Sequence, residues 1–74
     1  MDKLLKLLSE VRSDVNFEKE EALIDNGILD SFDVVCIVGE VNDRFDVEIR
    51  PVDMVPQNFN SAKALYRLIG RLSE

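Results

Sequence analysis

Histidine is absent from the 74-residue chain, and cysteine occurs once. The absence of histidine excludes His-based catalysis and zinc sites that contain histidine, while a single cysteine excludes an internal disulfide. No stretch approaches the roughly 20 apolar residues that a membrane-spanning helix needs. The segment from Met1 to Val11 is interrupted by charges and lacks the apolar region of a signal peptide. We therefore expect a cytoplasmic protein with a reduced thiol.

Basic residues are scarce in the middle of the chain, and their distribution says more than the net charge of −6. Residues 14–48 hold eleven acids and two bases, whereas residues 1–13 and 49–74 carry net charges of +1 and +2. Lys and Arg bind phosphate backbones, so this acidic surface is a poor partner for nucleic acid. Basic protein surfaces are the partners that its charge favours.

The small size of the chain limits what it can do. Domains run about 50–250 residues, so the length predicts a single domain over residues 1–74. A chain this short buries only roughly 60% of its unfolded surface, and a deep, water-excluding catalytic cleft is not expected. Because the sequence shows no evident base to activate a nucleophile, we expect that the protein is not an enzyme.

Three stretches of the sequence have the apolar spacing of amphipathic helices. The first is about a dozen residues long, with Asp2 as its N-cap and Arg12 on its polar face. The last starts near Asn60 or Ser61, either of which can cap it. The apolar stripes of these two helices are Leu4, Leu7, Leu8, Val11 and Val15, and Leu65, Leu68, Ile69 and Leu72.

The second helix should run from about Ser31 to Phe45, with Asp30 or Ser31 as its N-cap. Its segment 35–38 contains β-branched residues and could form a buried strand, but the helical spacing persists over four turns. We therefore predict a helix. Its apolar stripe is Val34, Ile37, Val38, Val41 and Phe45.

For the rest of the chain, the sequence predicts loops and one short helical turn. Residues 14–30 are acidic and turn-rich, with Gly27 able to take a positive φ, and predict a long loop. Five apolar side chains should attach this loop to the core, namely Phe17, Leu23, Ile24, Ile28 and Leu29. Residues 45–50 alternate with period two and should be extended. Pro56 limits any helix in residues 53–59 to about one turn. With three main helices and this short turn, we expect a small helical bundle.

The candidate site is the segment Gly27-Ile28-Leu29-Asp30-Ser31-Phe32-Asp33. Ser31, in the first turn of a helix, would lie beside N–H groups that lack an intrahelical partner, where a phosphate is favoured. Asp30 and Asp33 flank it; they repel a free phosphate but can attract a basic modifying enzyme. Taken alone, an Asp-Ser pair before an apolar helix is most often only a cap.

An ordered set of features around this segment resembles the acyl carrier protein family, the phosphopantetheine-binding carriers. The resemblance covers nearly the whole chain. It is carried by residues 25–33, by residues 40–49, and by Pro56-Gln57-Asn58-Phe59 with the helix that follows. It implies the all-α fold of the family, a small four-helix bundle with three main helices, a short third helix and a long loop between the first two.

The resemblance also implies a function. Ser31 would carry a 4′-phosphopantetheine arm, transferred from coenzyme A by a Mg²⁺-dependent phosphopantetheinyl transferase. The thiol of the arm would hold an acyl or aminoacyl group as a thioester, loaded by a ligase or synthase with a basic docking surface. We expect a monomer without a metal site. The candidate partner-binding residues are Asp30, Phe32, Asp33, Glu40, Asp43 and Met54.

Within the family, one position and one run of residues bear on the type of carrier. Cys36 stands five residues after Ser31, where many fatty-acid carriers have glutamate. We expect Cys36 to be an inert, partly buried residue. The run from Gly27 to Phe32 looks closer to carriers served by AMP-forming ligases, such as D-alanyl carrier proteins and stand-alone peptidyl carriers.

A second interpretation is an unmodified, small acidic helical adaptor that binds a basic protein partner. It explains the charge distribution as well as a carrier does, but it gives no reason for a serine between two acids at a helix start. A Ca²⁺ loop is disfavoured, since Asp25-Asn26-Gly27 lacks the alternating ligands and closing glutamate of an EF-hand.

Overall fold

Four α-helices and one 3₁₀ turn make up the regular secondary structure of residues 1–73, which the computed structural model describes. In chain order, α1 spans Asp2–Val11, α2 spans Ser31–Phe45, α3 spans Pro56–Phe59 and α4 spans Ala62–Leu72, and the 3₁₀ turn covers Pro51–Asp53. These residues contain no strand. The predicted all-α class is therefore confirmed.

α1 forms from the first amphipathic stretch and buries one leucine face. Leu4, Leu7 and Leu8 are buried, since residues three and four apart lie on the same side of a helix. The prediction of Asp2 as N-cap is wrong: Met1 is the capping residue, and no side chain caps this end. Asp2 is instead the first helical residue, where the helix dipole favours its negative charge.

α2 begins with a capping box, in which two acidic side chains accept hydrogen bonds from each other's backbone N–H groups. The N–H of Asp33 donates to Oδ1 of Asp30 at 2.8 Å, and the N–H of Asp30 donates to Oδ2 of Asp33 at 3.2 Å. Asp30 is therefore the N-cap and Ser31 the first helical residue. The β-branched centre is helical because the helical spacing buries Ile37 and Val41 completely on one face.

The other end of α2 is held against α1. Asp46 ends the helix with a left-handed φ of 52°. Lys3 of α1 donates from Nζ to the carbonyl of Arg44 at 2.7 Å, and the same ammonium lies 4.8 Å from the ring centroid of Phe45. Arg44 also forms an ion pair with Glu10 of α1, with 2.8 Å between Nη2 and Oε1.

Residues 12–30 join α1 to α2 through turns and bends. Their apolar side chains lie on the core: Phe17, Leu23 and Leu29 are buried, and Ile24 and Ile28 are partly buried. Asn60, between α3 and α4, fixes the middle of this segment. Its Oδ1 accepts hydrogen bonds from the N–H groups of Ile24 at 3.0 Å and Asp25 at 3.1 Å. Its carbonyl accepts from the N–H of Leu23 at 2.8 Å.

The segment after α2 leads into the last two helices. Ile49 is buried, and its N–H donates to Oδ1 of Asn42 at 2.8 Å. A side chain of α2 thus supplies the hydrogen-bond acceptor that a neighbouring strand would supply in a sheet. Pro56 opens the single turn of α3, because its fixed φ suits the first helical position. Ser61 caps α4 by accepting a hydrogen bond from the N–H of Ala64 at 3.0 Å.

The helices and the long loop enclose one apolar core. α1 contacts α2 and α4, and α3 contacts α4. The buried apolar residues are Leu4, Leu7, Leu8, Phe17, Leu23, Leu29, Ile37, Val41, Ile49, Phe59, Ala62, Leu65, Leu68 and Ile69. The radius of gyration is 10.9 Å, close to the value of about 11 Å for a compact chain of this length. The loop therefore lies on the helices instead of extending from them.

We expect Asn60→Ala to lower the free energy of unfolding by about 1–3 kcal/mol, because the N–H groups of Ile24 and Asp25 lose their acceptor. Urea unfolding followed by far-UV circular dichroism measures this change. Asn26→Ala is the matched control, since Asn26 is an exposed asparagine of the same loop. The control should change stability by less than about 0.5 kcal/mol. Equal losses in the two variants would contradict the role given to Asn60.

Candidate functional site

Ser31 is exposed and is the first residue of α2. The first N–H groups of a helix have no intrahelical partner and lie at the positive end of the helix dipole. In α2 the N–H of Asp33 is taken by the carboxylate of Asp30, while the amides of Ser31 and Phe32 come earlier in the turn. The serine hydroxyl therefore stands at the solvent-facing start of a helix, where an anionic group attached to it is favoured.

A cleft of about 310 Å³ opens beside Ser31. Apolar side chains from three segments line it: Ile24 and Leu29 from the loop, Val34 and Val35 from α2, and Met54, Val55, Pro56 and Phe59 from the segment that includes α3. Ser31 and Asp30 are the polar residues among those lining the cleft. An apolar group tethered to Ser31 would thus find an apolar surface immediately next to its point of attachment.

Three large apolar side chains are exposed around the cleft. Phe32 is 73% exposed, Val35 is 59% exposed and Met54 is 36% exposed. Phe32 and Val35 are three residues apart and share one face of α2, and both Val35 and Met54 line the cleft. We call these three residues the apolar rim. The sequence predicted Phe32 and Met54 as partner-binding residues but did not include Val35, which belongs to the segment 35–38 that could also form a buried strand.

The exposed acids near α2 lie at different places on the helix. Asp30 is exposed next to Ser31, and Asp43 is exposed eleven residues after Phe32, which is about three helical turns and so the same face as the apolar rim. Glu40 is also exposed, but it forms an ion pair with Arg44 at 3.1 Å. Because Arg44 in turn pairs with Glu10 of α1, Glu40 lies on the side of α2 that approaches α1.

Asp33 does not join these exposed acids. The sequence grouped it with the partner-binding residues, but the structure buries it, with 9% of the residue exposed. Its Oδ2 accepts hydrogen bonds from Nη1 of Arg12 at 2.7 Å and from the N–H of Asp30. The Asp-x-x-Asp spacing of a capping box was the signal for this inward orientation. Asp33 belongs to the support of the site and not to its open surface.

The helical spacing predicted Arg12 on the polar face of the first helix, with no role at the site. The structure ends α1 at Val11 and gives Arg12 extended backbone angles, φ −137° and ψ 93°. Its guanidinium then reaches Asp33, the carbonyl of Ile28 at 3.2 Å, and both carboxylate oxygens of Asp14, at 2.8 and 2.9 Å. No feature of the local sequence indicated this reach.

The hydrogen bonds of this network shift two pKa values. Bonds to Asp14 and then to Asp33 raise the pKa of Arg12 above its ordinary value. The hydrogen bond from Arg12 lowers the pKa of Asp14 from 3.8 to about 2. Arg12 therefore stays charged, and Asp14 stays ionised well into the acid range.

What the site can do chemically follows from its parts. It offers an exposed primary hydroxyl, an apolar cleft and a helix start. Cys36, the single thiol, is partly buried on α2. Within residues 1–73, no group of three or more His, Cys, Asp or Glu side chains is placed to hold a metal ion. The arrangement therefore places an exposed hydroxyl, the start of a helix and an apolar surface side by side.

No protein-family model matches the chain, and no curated protein matches it. In the described part of the chain, no helix has the length and apolar character needed to cross a membrane.

We expect the Arg12–Asp14 pair to stabilise the protein at neutral pH and to lose its effect in acid. The folded-state pKa of Asp14 is depressed to about 2, so its contribution is complete above the unfolded pKa and disappears as the pH falls from about 4 towards 2. Urea unfolding of the wild type and Asp14→Asn at several pH values measures the difference. The difference should be largest at neutral pH and should shrink below about pH 4. A constant or growing difference down to about pH 3 would contradict the assignment.

Proposed function

We propose that this protein is a carrier: the hydroxyl of Ser31 receives a 4′-phosphopantetheine arm, and the arm holds an acyl or aminoacyl group as a thioester. The observation that carries the proposal is an exposed serine at the first position of α2, directly beside an apolar cleft. The resemblance of residues 25–33 to the acyl carrier proteins supports it. With it we propose that the helices form the four-helix bundle of that family, with α3 as the short third helix.

The modification would be a transfer catalysed by a partner. Oγ of Ser31 attacks the phosphorus atom next to the pantetheine in coenzyme A, and a Ser–O–P bond forms. The bond to the second phosphate breaks, and 3′,5′-adenosine bisphosphate leaves. The hydroxyl proton goes to a base of the phosphopantetheinyl transferase, and Mg²⁺ bound by that enzyme offsets the phosphate charge. No step requires an oxidant or a catalytic base from this chain.

The residues around Ser31 fit such an arm. The hydroxyl is exposed to an approaching enzyme, and the helix start favours the negative phosphodiester. Two nearby carboxylates would oppose the phosphate, but that of Asp33 is compensated by the guanidinium of Arg12 at 2.7 Å. Asp30 remains exposed, and its Oδ1 accepts a hydrogen bond from the N–H of Asp33. The local charge thus opposes the arm less than the sequence suggests.

The cleft suits the carried group. A volume of about 310 Å³ with apolar walls can shield part of a pantetheine arm or a small apolar acyl chain from water. Asp30 is the one charged residue among those lining it. A cationic amine on an aminoacyl cargo would therefore find one carboxylate at this site. The family resemblance favours loading by an AMP-forming ligase, as for D-alanyl and peptidyl carriers.

The apolar rim and the exposed acids form the proposed docking surface. Phe32, Val35 and Met54 offer apolar contact close to Ser31. Asp30 adds negative charge beside the cleft, and Asp43 adds it on the face of α2 that carries Phe32. A partner enzyme with an apolar patch bordered by Lys and Arg is complementary to this surface. Glu40, already paired with Arg44, would contribute less.

Incubation with coenzyme A, Mg²⁺ and a broad-specificity phosphopantetheinyl transferase tests the carrier function by intact mass. We expect the wild type and Ser13→Ala to gain one arm and Ser31→Ala to gain none. Ser13 is the matched control, because it is another exposed serine. Ser31→Ala should remain folded, with stability changed by less than about 0.5 kcal/mol, since Asp30 is the cap.

Two outcomes would contradict the carrier proposal. An arm attached to Ser31→Ala would mean that the modified residue is another one. A folded wild type that gains no mass, even with the transferase of its own host, would favour the unmodified acidic adaptor that binds a basic protein.

We expect Phe32→Ala to weaken docking of the transferase without unfolding the protein. A large exposed aromatic side chain at the centre of an interface contributes about 1–2 kcal/mol, which corresponds to a rise in KM of roughly 5–30-fold. Tyr66→Ala is the matched control, because Tyr66 is an exposed aromatic residue on α4. Steady-state kinetics with carrier as the varied substrate measures the effect. An equal KM for the two variants would exclude Phe32 from the docking surface.

A further inference from the structure

Arg12 contacts the chain on both sides of Ser31. Before the serine, its Nη1 donates to the carbonyl of Ile28 at 3.2 Å. After the serine, the same nitrogen donates to Oδ2 of Asp33 at 2.7 Å. One guanidinium at the end of α1 therefore connects the last residues of the long loop to the first turn of α2.

The contact to Asp33 reaches the backbone at Ser31 through the capping box. Oδ2 of Asp33 accepts from Arg12 and from the N–H of Asp30, which directly precedes the serine. In return, Oδ1 of Asp30 accepts from the N–H of Asp33. The rotamer of Asp33 thus decides whether both hydrogen bonds of the box can form at once, and Arg12 holds that rotamer.

Because Asp33 is buried, its carboxylate depends strongly on the contact with Arg12. Asp33 is a buried carboxylate, and a buried charge that loses its partner is strongly unfavourable. Without Arg12, the carboxylate gains most by turning out to water, and it then leaves the N–H of Asp30. The expected consequence is a loosened first turn of α2, with Ser31 inside the loosened segment.

A second consequence is electrostatic. The phosphodiester on Ser31 would add a negative charge within two residues of Asp33. Arg12 compensates the charge of Asp33 in advance, so that the helix start can offer its amides to the phosphate. Both consequences act through Asp33 and not through contact with the arm.

We propose that Arg12 is a positioning residue for the modification of Ser31: by holding Asp33 and the carbonyl of Ile28, it fixes the segment that presents the serine hydroxyl to the transferase. This inference rests on the proposed function. It adds Arg12, the residue that directly follows α1, to the modification site, which the sequence placed within residues 27–33.

The test compares Arg12→Gln, Arg12→Lys and Arg44→Gln. Arg44 is the matched control, because it also joins α1 to α2, through Glu10. Its loss removes the same charge, but at the opposite end of α2, about 20 Å from Ser31 along the helix axis. All variants are first shown to be folded by circular dichroism at the temperature of the assay.

Two quantities are then measured. The first is kcat of phosphopantetheine transfer at saturating carrier, which a loss of stability alone does not change while the carrier remains folded. The second is amide hydrogen exchange at Asp30 and Asp33. We expect Arg12→Gln to lower kcat on the order of tenfold and to accelerate both exchange rates. Arg12→Lys should recover part of kcat, since it can still donate to Asp33, and Arg44→Gln should match the wild type in both quantities.

The outcomes separate this inference from the proposed function. If Arg12→Gln is folded and modified with the kcat of the wild type, Arg12 is not a positioning residue. If the wild type accepts no arm, the proposed function fails, and hydrogen exchange alone decides the role of Arg12. In that case, unchanged exchange at Asp30 and Asp33 in Arg12→Gln overturns the inference, and faster exchange supports the hold of Arg12 on this segment.

Discussion

The hydrogen-bonded start of α2 is the interaction on which the rest of the site depends. Asp30 and Asp33 satisfy each other's backbone N–H groups, and Arg12 supplies the positive charge that allows one of these carboxylates to be buried. The position of Ser31, the course of the loop that leads to it and one wall of the cleft all follow from where this helix begins. A helix start fixed in this way leaves the serine hydroxyl exposed while its backbone is constrained.

Helical periodicity predicted the all-α class and the bounds of α2 correctly. Those features depend on apolar side chains at fixed spacing within a single element. The strand alternative for residues 35–38 failed because burial on one helical face outweighs local β preference. The N-cap of α1 was wrong, since nothing in the chain distinguishes Asp2 as a cap from Asp2 in the first turn, where its charge is also favourable.

The residues of the candidate site also divide into those that local sequence could predict and those that it could not. Ser31, Phe32 and Met54 could be proposed from sequence, because a motif and its neighbours are local. The Asp-x-x-Asp spacing of the capping box could have indicated the inward orientation of Asp33. The contribution of Arg12 depends on a contact between residues 21 positions apart, which composition and spacing do not contain. Asn60, which holds the loop from 36 residues away, escaped prediction for the same reason.

The two polar connections between α1 and α2 lie at opposite ends of α2, with Arg12 at its start and Lys3 and Glu10 at its finish. Because these contacts are far apart, they hinder both the sliding of α1 along α2 and the separation of the two helices at either end. A single contact in the middle of the helices would not hinder both motions. The facing wall of the cleft consists of a one-turn helix and the residues just before it, Met54 to Phe59. We therefore expect the short wall to be the compliant element of the molecule. If the protein is a carrier, as we propose, displacement of this wall would accommodate cargo of different sizes while the contacts between α1 and α2 stay in place.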